Sequence, residues 1–344
     1  MKILVHIALL CGALLGAMPA SAVEAVPLAL STPSAPTAPL STVTVPPATP
    51  PVASAPLRDP NEPLFAVPTQ RDRIGRILAP VMINGKGPFR LIIDTGANHS
   101  TVSPHMLEKL GLVPTPENDR IVHGVTGSAR VPAVLVDRME SGLLVVEQSF
   151  LPVIGSTMTA DADGILGVAG LRNARIIVDF RRDKVSITRA RPRDDIAGEY
   201  LVIEAGRMPD GVLAVDASVR GIRTRAIIDT GAERTLGNLK LREALRTQRR
   251  DRDSPRSADV YGATPEVFVG EPVYAPAIRL GEVTVSGVDI IYGDFPIFKT
   301  WELDERPAML IGMDILGVAD TLVIDFSRMQ VRVRKNNGPY VRVH

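Results

Sequence analysis

Leu91-Ile92-Ile93-Asp94-Thr95-Gly96-Ala97 and Ala226-Ile227-Ile228-Asp229-Thr230-Gly231-Ala232 are two copies of one stretch. Each is an apolar run that ends in a carboxylate at a glycine-bearing turn, which reads as a buried strand feeding a loop. A carboxylate directly after a buried strand is a costly place for a charge unless something bonds it or shares it. Two copies supply the sharer, so the pattern sets Asp94 and Asp229 face to face.

The copies extend well beyond this stretch. Leu78-Ala79 stands at the same offset before Asp94 as Leu213-Ala214 before Asp229, with no gap between. Val122-His123-Gly124-Val125-Thr126 is echoed by Val260-Tyr261-Gly262-Ala263-Thr264, and Ile165-Leu166-Gly167 by Leu310-Ile311-Gly312. Both copies close alike, in Ile177-Val178-Asp179-Phe180 and Val323-Ile324-Asp325-Phe326. Landmarks repeated in one order mean an internal duplication. Its period of about 135 to 145 residues is too long for a solenoid unit and about the size of a small domain.

The first residues are read as a leader. Lys2 is followed by an apolar stretch over residues 3–18 and by the A-x-A site Ala20-Ser21-Ala22. Residues 1–22 are therefore expected to be a secretory signal peptide cut after Ala22. The apolar run is short for a membrane span. The expected location is the periplasm, with tethering by an uncleaved N-terminal segment as the alternative. The single cysteine, Cys11, lies inside this run behind Leu9-Leu10. The mature chain then has no disulfide, no cysteine metal site and no cysteine nucleophile. Residues 23–70, rich in Pro, Ala, Ser and Thr, read as an extended spacer. Residues 71–192 and 193–344 read as the two lobes. A formal net charge of +1 gives no electrostatic case for nucleic acid. The mixed-sign run Arg249-Arg250-Asp251-Arg252-Asp253 reads as a solvated loop.

Within the lobes, strand signals dominate. Residues 77–83 run into Asn84-Gly85, a two-residue hairpin signal, and return through residues 89–93. Ser103-Pro104 starts a short helix that Gly111 stops, and Asn238 caps a helix over residues 239–246. Residues 123–130 and Tyr261-Gly262 read as hairpin tips. Short strands with one short helix per unit predict a mostly antiparallel β fold.

Two carboxyl groups within hydrogen-bonding distance do not both ionise readily, so the pair holds one proton over a wide pH range. Such a pair can bind a water, take its proton with the ionised member and donate to a carbonyl oxygen with the protonated one. The chemistry is acyl hydrolysis without metal or covalent intermediate. Thr95 and Thr230 are placed to lock the two loops across the interface, and Gly96 and Gly231 to let backbone approach the pair.

The two Asp-Thr-Gly-Ala motifs, each with a downstream apolar-apolar-Gly, resemble the aspartic proteases, in particular the retropepsin-like branch. Ala97 and Ala232 match retroviral enzymes, where pepsin-like ones carry Ser or Thr. The resemblance covers residues 76–333. It implies an all-β fold, with two tandem closed β-barrel units meeting on a pseudo-two-fold axis as one bilobal protease. It implies Asp94 and Asp229 as catalytic residues, and Leu166-Gly167 and Ile311-Gly312 packed beneath the catalytic loops. It also implies flaps over the cleft carrying Gly124, Val125, Thr126, Gly262, Ala263 and Thr264. Departures are Asn98 and Glu233 where retroviral enzymes carry Asp. His123 stands where pepsin-like flaps use an aromatic residue, and neither it nor Tyr261 is given that role.

Other residues have plainer readings. His99, His105 and His123 lack ligand spacing, so no metal is expected. Ser100 and Thr101 have no base beside them and read as strand residues behind the loop. Asp161-Ala162-Asp163-Gly164 lacks the later ligands of a calcium loop and reads as a turn. Asp179 and Asp325 read as structural. The expectation is an exported aspartic endopeptidase acting on extended protein or peptide segments, with no cofactor. It would work as a monomer whose two lobes form an intramolecular pseudo-dimer. The alternative is a non-catalytic peptide-binding or scaffolding module on the same fold. Such a module has no need for both carboxylates, and cleavage of an unfolded protein mixture separates the two.

Overall fold

The computed structural model describes residues 3–6, 65–68, 70–71, 75–142, 144–155, 159, 162–189, 200–246, 257–275, 277–334 and 341–343. Ala20-Ser21-Ala22, Cys11, Asp161, most of the segment read as a spacer, residue 143, the connection over residues 190–199 and the charged run at residues 249–253 lie outside them. Of the segment read as a leader, Ile3–His6 is described, as a strand paired parallel with Ala258–Tyr261.

The chain is mostly strand, and its two lobes repeat one plan. In the first lobe, Ile77–Ile83 and Lys86–Ile93 form the hairpin that delivers Asp94. Asn84 and Gly85 turn it with φ of 49° and 73°, the pair of positive angles that a two-residue turn of right twist requires. Ala133–Ser141 and Leu144–Pro152 extend the sheet on one side. On the other side Gly164–Leu166 lies parallel to Lys86–Ile93 and antiparallel to Thr101–Val102. The second lobe repeats this with Leu213–Val219 and Ile222–Ile228, turned by Arg220 and Gly221. Ala308–Ile311 lies parallel to Ile222–Ile228 and antiparallel to Leu236–Gly237.

The helices start and stop where their end residues dictate. Ser103 Oγ accepts from Met106 N at 3.2 Å, Pro104 opens the helix Pro104–Leu110, and Gly111 ends it at φ 69°. That is a side-chain N-cap followed by a left-handed C-terminal glycine. Asn238 Oδ1 accepts from Leu241 N at 2.9 Å and opens the helix Leu239–Arg246. The Asn238 Nδ2 donates to the carbonyls of Leu303 and Arg306 at 2.8 and 2.7 Å, so this cap also fastens the helix to the chain that follows.

The register corrects one detail of the repeat. Leu78 faces Ile92, whereas Ala214, not Leu213, faces Ile227. The first hairpin carries an irregularity between Val81 and Ile83 that the second lacks. The gapless match of Leu78-Ala79 to Leu213-Ala214 is therefore one strand position out: Leu78 corresponds to Ala214.

A third sheet ties the lobes together. Its strands run Phe65–Pro68, Lys184–Arg189, Ala174–Asp179, Thr321–Asp325, Gln330–Arg334 and Leu201–Arg207. The sheet reaches back into the segment read as spacer, since Phe65–Pro68 pairs with Lys184–Ile187. At its centre Ile177 pairs with Val323, its own counterpart in the repeat. A residue that meets its own counterpart marks an axis of two-fold pseudo-symmetry. One apolar cluster runs from Ile77, Leu91 and Ile93 through Ile176 and Ile324 to Ile228, Leu310 and Ile311, with each of these at most 1% exposed.

Candidate active site

Each Asp-Thr-Gly-Ala loop is shaped by its own backbone. Asp94 Oδ1 accepts from Gly96 N at 2.9 Å and Ala97 N at 3.0 Å. Asp229 Oδ1 accepts from Gly231 N at 2.8 Å and Ala232 N at 3.0 Å. One oxygen of each carboxyl group is thereby fixed, and the other is turned out of the loop. The parallel strands close the loops from below, with Asp94 N donating to Leu166 O at 3.1 Å and Asp229 N to Ile311 O at 3.0 Å.

The threonines join the loops across the axis. Thr95 Oγ1 donates to Ile228 O at 2.8 Å and accepts from Thr230 N at 3.1 Å. Thr230 Oγ1 donates to Ile93 O at 2.7 Å and accepts from Thr95 N at 3.2 Å. Each hydroxyl acts once as donor and once as acceptor, and all four bonds are buried. Thr95 and Thr230 are repeat counterparts, so this is a second point on the pseudo-two-fold.

With the loops locked, Asp94 and Asp229 lie within hydrogen-bonding reach, both fully buried. The Oδ2 oxygen of each is buried and accepts no hydrogen bond from another residue among the described residues. A hydrogen bond between two carboxyl groups needs a proton on one of them, so the pair holds at least one. Gly231 is pressed against the Asp94 carboxyl, where a Cβ on residue 231 would lie 2.2 Å from Asp94 Cγ. Burial pushes the Asp94 carboxyl up to about 7, against bonds from Asp229, Gly96 and Ala97 and the charge of Arg76. Asp229 is raised well above the usual carboxylate range, by burial first and then by the charge of Asp94.

A second layer supports the loops. Ser100 Oγ accepts from Gly167 N at 3.1 Å, and Thr235 Oγ1 accepts from Gly312 N at 3.2 Å. Thr235 also donates to Asp314 Oδ1 at 2.7 Å. Ser100 and Thr235 each stand six residues after their Asp, a signal that sequence reading left unused. Leu166-Gly167 and Ile311-Gly312 do lie beneath the loops. Side chains on the glycines would strike His99 and Arg234 backbone at 2.5 and 2.7 Å. Asn98, at one of the two departures from the retroviral pattern, is 5% exposed and its Oδ1 has no partner among the described residues. Asp163 Oδ2 accepts from Arg90 N at 2.8 Å, a strand-fastening role. Asp179 and Asp325 likewise accept from the backbone of the turns that follow them.

The hairpin tips meet above this floor. The first hairpin is Arg120–Gly124 with Gly127–Val131, and the second is Ala258–Tyr261 with Val267–Ala275. Thr126 and Thr264, another pair of counterparts, are bonded hydroxyl to hydroxyl at 2.9 Å. Gly262 is packed on Thr126, whose Oγ1 would lie 2.3 Å from a Cβ there. Val125 is fully buried, and Ala263 of the second lobe packs among Leu78, Ile92, Ala97 and Ile165 of the first. The hydroxyl pair is a latch between the tips. Replacing both threonines by Val removes one hydrogen bond worth about 1 kcal/mol. Amide exchange of residues 124–126 and 262–264 is expected to quicken by roughly fivefold, and unchanged exchange would show that the pair holds nothing shut.

Two β lobes related by a pseudo-two-fold, each giving one carboxyl to a buried pair beneath two meeting hairpins, define the architecture of an aspartic protease. Two segments, residues 79–169 and 215–315, match the family model described as aspartyl protease. They cover more than half of the chain, one segment in each lobe. The chain belongs to the aspartyl protease family, with its two retropepsin-like units in tandem. No curated protein matches it.

Proposed function

We propose that this protein is an exported endopeptidase that hydrolyses peptide bonds of extended protein segments, using a water activated between Asp94 and Asp229. The observation that carries this reading is the hydrogen-bonded pair of buried carboxyl groups whose Oδ2 oxygens accept no hydrogen bond from another residue among the described residues. A water bound there is deprotonated by the ionised carboxylate as its oxygen attacks the peptide carbonyl carbon. The protonated carboxyl donates to the carbonyl oxygen. In the second half, the resulting diol returns a proton to the carboxylate, the leaving nitrogen takes one, and the C–N bond breaks. Preorganisation does the rest, because the eight backbone and threonine bonds fix both carboxyls before substrate arrives. An extended segment would enter between the loops and the hairpin tips, where backbone groups can supply strand-like pairing.

Cleavage of an unfolded protein mixture tests the reading. A peptide analogue with a hydroxyl at the scissile position should block it, and a chelator should leave it unchanged. Loss of all cleavage in chelator would sink the proposed chemistry. The lobes are joined in one chain and share a sheet, so their association is intramolecular. Specific activity is expected to hold constant from micromolar to nanomolar enzyme. A mixture of Asp94→Asn with Asp229→Asn is expected to stay inactive, and recovery on mixing would mean a site formed between chains. Export is tested by the first residue of the mature protein, which should be Val23 after removal of residues 1–22.

A further inference from the structure

The two lobes differ in one place that bears on the pair. In the first hairpin Leu78 faces Ile92, and continuing that register by two positions sets Arg76 opposite Asp94. In the second, Ala214 faces Ile227, and the same step sets Val212 opposite Asp229. Arg76 and Val212 are both fully buried. An arginine therefore stands across the strand from one carboxyl of an otherwise symmetric pair, and a valine from the other; the Arg76 charge acts on Asp94 in the direction that favours its ionised form. Among the described residues, the charged groups that act on Asp94 are Arg76 and Asp229, while Gly164–Leu166 beneath brings only apolar side chains and glycine.

We infer that Arg76 is a positioning residue that breaks the symmetry of the pair, holding negative charge on Asp94 and leaving the proton on Asp229. Asp94 is then the base that activates water, and Asp229 is the acid that donates to the carbonyl oxygen. This assignment rests on the proposed hydrolytic function for its roles, but not for the location of the proton. A cation opposite a buried carboxyl favours its ionised form, and a neighbouring ionised carboxyl disfavours ionisation of the second. Both effects act in one direction here. The Arg76 charge works against burial at Asp94, and the Asp94 charge adds to burial at Asp229.

The full chain labelled with 13C at its aspartate carboxyl carbons decides this, with the two resonances assigned from Asp94→Asn and Asp229→Asn. The Asp94 carbon is expected to titrate first as pH rises. In Arg76→Met the order should be lost, and in Arg76→Lys, which keeps the charge, it should remain. The acidic limb of the pH profile of kcat/KM should move up by roughly one pH unit in Arg76→Met, a shift that a purely structural role would not give. If Arg76→Met does not fold, titration of the parent chain still decides, because Asp229 ionising first would overturn the inference. A parent chain that cleaves no peptide would remove the proposed function while leaving the carbon titration to settle the location of the proton.

Discussion

Asp94→Asn and Asp229→Asn are each expected to lower kcat by at least roughly a hundredfold, because either change removes one half of an acid–base pair. The same variants should be more stable than the parent at pH 8. Asp94 stands at about 7 in the fold against an ordinary 3.8. A carboxyl raised on folding contributes stability that is fully present below its unfolded value and lost as pH rises through its folded one. Between pH 4 and pH 7 the parent therefore loses stability that an asparagine, which does not ionise, keeps. The gain for Asp94→Asn at pH 8 is up to about 4 kcal/mol, and it should vanish near pH 3. Chemical denaturation at the two pH values measures it. Equal stability at pH 8 would mean that the carboxyl is not held in a raised state, and a variant retaining most of its turnover would mean that the pair is not the catalyst.

Arg175→Met is expected to destabilise the whole molecule. Arg175 Nε bonds Asp325 Oδ2 at 2.8 Å, with side chains 6% and 0% exposed. The two residues face each other across the central strands of the sheet that joins the lobes. Removing one member of a buried ion pair leaves the other charge in a low-dielectric interior, at a cost of about 3–5 kcal/mol. Thermal unfolding should move down by roughly 10 °C. The substitution lies in the shared sheet, not beside the carboxyl pair, so the pH profile of the surviving folded fraction should keep its shape. A melting temperature within a degree of the parent would show that the pair contributes nothing net.

The carboxyl pair and the buried ion pair differ in how far the sequence reveals them. The first was legible in the sequence, because Asp94 and Asp229 each follow an apolar strand inside a repeat, and burial next to a second carboxyl follows from that alone. The second was not. Asp325 read only as a strand-end residue, and nothing local marks Arg175 as its partner across 150 residues of chain.

The sequence by itself determined the duplication, the two carboxyl loops, the turn at Asn84-Gly85, both helix starts and the positions of the hairpin tips. Each of these is a short-range signal, in which a cap, a positive φ or an apolar period acts within a few residues. The tertiary structure alone decided what meets across the axis: Thr95 with Thr230, Thr126 with Thr264, Ile177 with Val323, and Ala263 among first-lobe residues. It also decided the register of each hairpin, whose continuation sets Arg76 opposite Asp94 in the first lobe and Val212 opposite Asp229 in the second. Strand register is fixed by packing on both faces of a sheet at once, and no local propensity encodes it.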